Sequence, residues 1–192
     1  AIAKGARRSK RRFAGSALEP FGNLSVRLSW RSGRSLALLH ECRVLESYHS
    51  IASDLPAYAW ACYILELTEQ MMPEGEPCPA LYEQLRLTLA QMASSEDAGH
   101  AARLGHRYIT ALLKTAGWGV DFTVCAVCRS PSSEIEQPIV DPRGGAMICA
   151  RHEAERRGFD ADDPGFSPAR RVIFPELLAY MRGLSQEEPP EA

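Results

Sequence analysis

The sequence predicts an α+β protein in which a small antiparallel sheet precedes an all-α region that carries a cysteine-rich loop. Three observations predict this fold class. Apolar and polar residues alternate near residue 26, apolar residues recur every three to four positions after residue 54, and paired cysteines flank a loop after residue 121. Alternation is typical of strands, and the longer period is typical of helices. With 192 residues, the chain is long enough for one domain or two small ones.

The sheet is predicted within residues 1–46. A first strand is indicated by a period of two, which is typical of a strand with one buried face. Its apolar positions are Leu24, Val26, Leu28 and Trp30. A turn is predicted around Gly33, and residues 36–45 are predicted to form the returning strand. Residues 1–3 are predicted to end a further strand.

Four helices are predicted after the sheet. The first begins after Asp54, the expected N-cap, has Pro56 in its first turn and ends before Pro73. The others are expected at 79–93, 97–116 and 168–184, and Gly117 is the expected C′ residue of the third. The inward-facing positions are predicted to be Tyr58, Ala61, Cys62, Leu65 and Thr68 or Glu69, then Leu81, Leu85, Leu89 and Met92, then Leu104, Tyr108, Leu112 and Leu113. Residues 185–192 form an acidic tail that we expect to be disordered.

The formal net charge of −2 hides an uneven distribution of charge. Residues 1–34 contain nine Lys or Arg residues and one acid, whereas the rest of the chain contains 13 basic and 23 acidic residues. A basic segment attached to an acidic body favours a polyanionic partner.

Composition argues against two classes of protein. The longest charge-free apolar run, at 55–65, is far shorter than the ~20 residues that span a bilayer. The basic N-terminal run is not followed by an apolar signal-peptide core, so we expect a cytoplasmic protein with no membrane partner. Six cysteines are too few for a disulfide scaffold, and a reducing compartment would keep them as thiols or metal ligands.

Two cysteine-containing pairs carry the sharpest chemical signal in the sequence. Cys125 and Cys128 have two residues between them, as have Cys149 and His152, and twenty residues separate the two pairs. This spacing predicts tetrahedral coordination of Zn²⁺. Because three thiolates and one imidazole fill all four positions, the predicted zinc site is structural. A turn at Gly144 and Gly145 would aim the second pair.

The cysteines also allow interpretations other than a structural zinc site. The two pairs could instead be buried thiols, with His152 on the surface. A deaminase-type catalytic zinc site is unlike this pattern, because its signature places His-x-Glu before Pro-Cys-x-x-Cys. The lone residues Cys42 and Cys62 are predicted to be small core hydrophobes.

The basic segment forms a second candidate site. Six cations without an acid occupy nine positions, and such a cluster binds phosphate backbones without sequence preference. The alternative interpretation is a merely solvated loop. The neighbouring hairpin adds further cations, which favours a basic sheet face. The candidate DNA-binding residues are Lys4, Arg7, Arg8, Lys10, Arg11, Arg12, Arg27, Arg31 and Arg34.

The same residues carry a resemblance to a known family. The stretches Ala3-Lys-Gly-Ala-Arg-Arg-Ser-Lys-Arg-Arg-Phe-Ala-Gly15 and Leu18-Glu-Pro-Phe21 resemble the signature of the RecO family of bacterial recombination mediators. Tyr63-Ile-Leu-Glu-Leu67, the Ala116-Gly117 step and Gly144-Gly145 before Cys149 follow in the family's order. The resemblance covers nearly the whole chain.

The resemblance implies a fold and a function. It implies a partial OB-fold at 1–48, a helical domain at 49–120, a zinc-binding insertion at 121–158 and a returning helix at 159–184, before the tail at 185–192. It also implies binding of single- and double-stranded DNA, strand annealing, and loading of RecA recombinase. The implied partners are RecR and the acidic tail of single-strand-binding protein, and the implied location is the bacterial nucleoid.

Two departures from the family pattern affect these expectations. The pattern normally begins roughly 25–30 residues earlier, so about two strands of the five-stranded OB barrel are missing. The chain is therefore expected to be a fragment or to have a start assigned too far downstream. In addition, the fourth metal ligand is His152, where the family commonly has Cys.

We expect a DNA-binding mediator without enzymatic activity. The sequence has no phosphate-cradling glycine loop and no carboxylate cluster at metal-ligand spacing, which argues against a zinc-dependent nuclease. The alternative from another class is a protein–protein adaptor, in which the basic segment binds an acidic peptide and the helical domain holds partners.

Overall fold

The computed structural model describes residues 1–3, 13, 19–30, 36–95, 98–135, 138–141, 145–157, 173 and 175–186. Their helices and strands are β1 (Gly22–Ser29), β2 (Leu38–Ser47), α1 (Leu55–Met71), α2 (Pro79–Ser94), α3 (Ala98–Thr115), β3 (Pro138–Asp141), β4 (Ala146–Cys149), α4 (Ala150–Arg157) and α5 (Pro175–Gln186). The chain divides into two compact units. Unit 1 consists of Ala1–Glu69 and Cys78–Gly105, and unit 2 consists of Gln70–Pro77 and His106–Ala192.

Strands β1 and β2 form an antiparallel ribbon in unit 1, as the sequence predicts, with both strands beginning two residues away from their expected starts. A further strand-like contact lies on the other edge of β2. The Ile2 N–H donates to the Ala37 carbonyl at 2.7 Å, and the Leu39 N–H donates to the Ile2 carbonyl at 2.9 Å. Ile2 and Phe13 pair with β2 in parallel. The expectation of strand structure at 1–3 is thus met by a single bridge.

The ribbon buries only part of the predicted apolar face. Phe13 and Cys42 are buried together, and Leu24 packs against them. Val26 and Trp30, however, are 47% and 67% exposed, so the predicted burial of these two side chains is wrong. Register shifts between Asn23 and Leu24 and between Arg27 and Leu28 interrupt the regular pairing of the two strands. Trp30 lies beyond the last strand pair.

Helix α1 begins where the sequence predicts and buries the predicted Ala61, but the rest of its buried face differs from the prediction. The Asp54 carboxylate accepts a hydrogen bond from the Ala57 N–H at 3.0 Å, which is the geometry of an N-cap. The buried residues of α1 are Ala57, Ala61 and Ile64, whereas Tyr58 and Cys62 are exposed. The predicted core role of Cys62 is therefore wrong. Residues 55–65 are apolar at most positions, so periodicity alone could not select the buried stripe.

Helices α2 and α3 agree closely with the sequence predictions. The predicted stripe of α2 is buried at Leu81, Leu89 and Met92. In α3, the predicted core residues that are buried are Leu104, Tyr108 and Leu112. Gly117 ends α3 with φ of 81°. This left-handed conformation is the one that favours glycine at C′.

A polar network in unit 1 joins the ribbon to α2. The Arg86 guanidinium donates to both oxygens of Glu46, at 2.8 and 3.0 Å, and to the carboxylate of Glu83 one turn earlier. The Tyr48 hydroxyl also donates to Glu46. Hydrogen bonds from Tyr48 and Arg86 lower the pKa of the Glu46 carboxyl. The network fixes the end of β2 against α2 through charge-assisted hydrogen bonds.

We predict that Gly105→Ala destabilises the protein. A Cβ at Gly105 would lie 2.4 Å from Cε3 of the Trp60 ring, so the ring or the two helices would have to shift. Overpacking of this kind costs about 1–3 kcal/mol. The matched control is Gly183→Ala in α5, where nothing lies within 4 Å of the added Cβ. The control should be neutral or stabilising by up to about 1 kcal/mol, because Ala is the better helix former. Urea unfolding of both variants checks this, and a Gly105→Ala variant as stable as the parent would contradict it.

Unit 2 contains a second hairpin that the sequence reasoning missed. Strands β3 and β4 pair antiparallel over four residues each. The hairpin packs on a core whose buried residues are Phe122, Met147, Ile173 and Leu178. Helix α5 begins at Pro175, while the predicted helix at 168–184 starts outside the described residues. Most of the tail that the sequence predicts to be disordered also lies outside the described residues, although Ser185 and Gln186 belong to α5.

Candidate functional site

Unit 2 brings together the four side chains that the sequence singled out as metal ligands. The sulfurs of Cys125, Cys128 and Cys149 and a ring nitrogen of His152 all lie within 4.8 Å of one another. The His152 Nδ1 is 3.1 Å from the Cys149 Sγ and 3.7 Å from the Cys125 Sγ. Cys125 is completely buried, and His152 is 8% exposed. The alternative that places His152 on the surface is therefore wrong.

The first pair of ligands is held by a tight turn. The Arg129 N–H donates to the Cys125 carbonyl at 2.9 Å, and the Cys125 N–H donates to the Ser130 carbonyl at 2.9 Å. Arg129 has φ of 61°, a left-handed conformation that a non-glycine residue adopts only when its surroundings enforce it. The Ala126 N–H donates to the Met147 carbonyl at 2.8 Å, which ties the turn to β4. The turn therefore directs the sulfurs of Cys125 and Cys128 towards the same point.

The second pair of ligands is positioned by the hairpin and the helix that follows it. Cys149 is the last residue of β4, and His152 lies in the first turn of α4. Gly145, with φ of 56°, precedes β4, as the predicted Gly144–Gly145 turn requires, while Gly144 lies outside the described residues. Cys149 and His152 are one helix turn apart, so their side chains lie on the same face and both reach the metal-ligand cluster.

Apolar side chains pack against the Cys and His cluster. Cys125 is buried together with Ile139 of β3 and Ile148 of β4, and Ile135 packs against them. Such packing fixes the hairpin beside the turn, so the four donor atoms are held close to each other by the fold. The arrangement brings the four donor atoms to one place, and the thiols are not separate core residues.

The surroundings shift the pKa values of the Cys128 and Cys149 thiols in opposite directions. Hydrogen bonds from the side chain and backbone of Ser130 lower the pKa of Cys128 to about 6. A backbone hydrogen bond from His152 lowers the pKa of Cys149, but burial and the Cys125 sulfur raise it by more, so the net direction is upward. A cation at the centre would favour all three thiolates, since metal ligation requires deprotonated sulfur.

Residues beyond the ligands also lie against the site, and sequence reasoning missed them. The Ser130 hydroxyl is 3.1 Å from the Cys128 Sγ. A Glu155 carboxylate oxygen is 3.8 Å from the Nε2 of His152, on the side of the ring away from the sulfurs. This distance is longer than a hydrogen bond, and the Arg151 Nη2 lies closer to the same nitrogen, at 3.3 Å. The position of Glu155 three residues after His152 on a helix was the signal available in the sequence.

The chemistry of the donors defines what this cluster can hold. Three soft sulfurs and one imidazole form a ligand set that suits a tetrahedral transition-metal ion. Hard cations such as Mg²⁺ prefer oxygen donors. Cys125, Cys128, Cys149 and His152 therefore form a possible metal-binding group.

The second candidate site, the basic segment, is described at one position. Arg27 on β1 is exposed, and its Nη2 lies 3.3 Å from the Glu41 carboxylate of β2. The other candidate DNA-binding residues lie outside the described residues, namely Lys4, Arg7, Arg8, Lys10, Arg11, Arg12, Arg31 and Arg34. Sequence reasoning missed Arg43, which shares Glu41 with Arg27. Within the described part of the chain, no helix has the length and apolar character needed to cross a membrane.

The fold and the site define an α+β protein with a short ribbon, a helical region and a four-ligand Cys and His cluster on a hairpin. Comparison with known proteins gives the family. The model of the Recombination protein O N terminal matches residues 1–48, and that of the Recombination protein O C terminal matches residues 52–163. The chain belongs to the RecO family of DNA repair proteins.

Relatives named DNA repair protein RecO match most of the chain. The protein of Syntrophobacter fumaroxidans is 33% identical over 155 residues, covering 81% of this chain and 60% of the relative. That of Bifidobacterium adolescentis is 36% identical over 167 residues, covering 84% and 65% respectively. That of Myxococcus xanthus is 32% identical over 195 residues, covering 96% and 76%. The chain thus spans less than two thirds of the length of the first two relatives.

Proposed function

We propose that this chain acts in recombinational DNA repair by binding single- and double-stranded DNA without sequence preference and annealing complementary strands. The observation that carries the proposal is the match of both RecO family models, which together span residues 1–48 and 52–163. The concentration of cations in residues 1–34 supports it, because polyanion binding requires such a charge distribution.

Residues 1–48 form the DNA-binding part in this proposal, as a portion of an OB-fold. The β1–β2 ribbon, with Ile2 and Phe13 bridged to the edge of β2 that faces away from β1, supports this assignment because a barrel needs strands on both edges. The remaining proposed divisions are a helical domain at 49–120, a zinc-binding insertion at 121–158, a returning helix at 159–184 and a tail at 185–192.

Annealing requires no catalytic side chain in this mechanism. Arginine and lysine side chains that contact phosphates neutralise the repulsion between two strands and leave the base edges free to pair. The proposal is therefore a non-enzymatic mediator that helps to load recombinase onto protein-coated single strands. Its proposed partners are DNA, RecR and the acidic tail of single-strand-binding protein, and DNA binding would place it at the nucleoid in the bacterial cytoplasm.

The Cys and His cluster has a structural role in this proposal, with Cys125, Cys128, Cys149 and His152 holding zinc. When bound, zinc supplies a crosslink between the turn at Cys125 and the β3–β4 hairpin. Four protein ligands leave no position for a reacting water, which distinguishes a structural site from a catalytic one. The short hairpin gains from such a crosslink, because isolated two-stranded hairpins are marginally stable.

An annealing assay with a peptide competitor tests this function against the adaptor alternative. We expect the chain to accelerate pairing of complementary labelled oligonucleotides at low salt and to lose this activity as salt rises. An acidic peptide should compete only weakly with DNA if phosphate contacts dominate. A chain that binds the peptide while neither binding nor annealing DNA would favour the adaptor and contradict the proposal.

A further inference from the structure

Two arginines on the ribbon converge on one carboxylate. Arg43 of β2 donates through Nε to the Glu41 Oε1 at 2.8 Å, and its Nη2 lies 2.8 Å from the same oxygen. Arg27 of β1 places its Nη2 3.3 Å from the other oxygen, Oε2. Each oxygen of a single anion thus faces its own guanidinium. This pattern matches a phosphodiester, whose two non-bridging oxygens can each accept from one arginine.

The backbone sets this convergence. Arg27 and Glu41 are directly opposite each other in the antiparallel register, and Arg43 lies two residues after Glu41 on the same strand. Residues two apart on a strand point to the same face, and directly opposed residues share that face as well. The two guanidiniums are therefore brought to one point by strand pairing rather than by chance orientation of long side chains.

We propose that Arg27 and Arg43 form a phosphate-binding pair for the DNA backbone and that Glu41 occupies it as an internal anion that lowers its affinity. This inference rests on the proposed DNA-binding function and adds to it a site and a form of control. In the free protein the Glu41 carboxylate binds both guanidiniums and competes with other anions for them. In the complex a backbone phosphate replaces the Glu41 carboxylate.

The exposure and the charge of the pair keep the free-energy cost of replacing Glu41 by a phosphate small. The side chains of Arg27 and Arg43 are 71% and 76% exposed, so neither guanidinium is desolvated when its partner changes. Exposed ion pairs contribute little stability, and one carboxylate leaves the pair with a net charge of one. The Glu41 side chain is 28% exposed, so an incoming phosphate can approach it from solvent.

The surroundings favour nucleic acid as the occupant. Arg27 belongs to the cation-rich segment at residues 1–34 and Arg43 follows it on β2, so a polyanion is drawn to this part of the chain. Trp30, just beyond the end of β1, is 67% exposed and offers an aromatic face for a base. Phosphate contacts together with exposed aromatic side chains are typical of single-strand binding.

Binding of labelled oligo-dT to the full chain and to Glu41→Gln and Arg43→Ala variants tests the proposal. Removing the internal anion should tighten binding about threefold and steepen its salt dependence, whereas Arg43→Ala should weaken binding about threefold and flatten the salt slope by ~0.7. Charge-matched controls are Glu76→Gln, in the loop before α2, and Lys114→Ala, at the end of α3, which should have smaller effects. Resonances of the arginine Nε–H groups should shift for Arg27 and Arg43 together during titration.

The outcomes separate this inference from the proposed function. If the parent chain fails to bind oligo-dT even at low salt, both are wrong. If it binds but Glu41→Gln behaves like Glu76→Gln and Arg43→Ala like Lys114→Ala, the phosphate pair is wrong and the DNA-binding function stands. A Glu41→Gln variant that gains affinity for an acidic peptide and not for oligo-dT would identify a peptide site and overturn the assignment to DNA.

Discussion

Replacing Cys125 by Ser should remove the metal from the protein and unfold the segment around the β3–β4 hairpin. The parent chain is expected to contain one zinc ion per molecule, held by the four converging donors. Structural zinc contributes about 10–16 kcal/mol of apparent binding free energy in small zinc peptides. This exceeds what two short strands can contribute alone, so its loss should abolish amide protection in the hairpin. Elemental analysis and hydrogen exchange measure the two effects.

Three further variants make this experiment decisive. Cys62→Ser makes the same chemical change at an exposed cysteine outside the cluster, so it should keep its zinc and its protection. His152→Ala should lose zinc, whereas His152→Cys should retain it, because tetrahedral zinc sites accept thiolate or imidazole in the fourth position. A parent chain that folds with a protected hairpin but carries no metal would show that the zinc assignment is wrong.

Reversing the charge of Arg8 and Arg11 together should abolish most DNA binding at moderate salt. Each arginine that contacts a phosphate releases counterions, and each lost contact reduces the salt slope by about 0.7 for single strands. We therefore expect Arg8→Glu with Arg11→Glu to flatten the slope by ~1.4 and to weaken binding by at least tenfold. Repulsion between the new carboxylates and phosphates adds to the loss. Fluorescence anisotropy at several salt concentrations measures both quantities.

The appropriate control carries the same change in net charge at another place. Arg103→Glu combined with Lys114→Glu reverses two exposed cations of α3 and should affect binding only through the general field, which salt screens. Should the Arg8 and Arg11 variant bind as tightly as this control at low salt, the basic segment would not be the DNA-binding site.

Local chemistry explains what could be predicted from the sequence. The two ligand pairs were identifiable because a spacing of two residues lets both members of a pair reach one ion. The start of α1 was identifiable because Asp54 caps it through its own side chain, and the end of α3 because Gly117 adopts a left-handed conformation. In each case the signal lies within a few residues of the feature that it predicts.

Features that depend on distant partners escaped prediction. Residues 55–65 are apolar at most positions, so the burial of Ala57 and Ile64 in α1 depended on the surrounding packing. The β3–β4 hairpin is only four residues per strand, which is too short for a clear alternation. Arg43 lies in a mixed-charge stretch, and its convergence with Arg27 on Glu41 required the strand register.

The sequence by itself determined the first ribbon and the three helices that follow it, the asymmetry of charge, the two chelating pairs and the resemblance to the RecO family that the comparisons confirm. Tertiary structure decided which face of α1 is buried, that the two pairs converge within 4.8 Å, and that Glu41 lies between Arg27 and Arg43. The physical reason is the range of the interactions. Spacing, capping and charge act along neighbouring residues, whereas burial and convergence depend on which segments the folded chain places side by side.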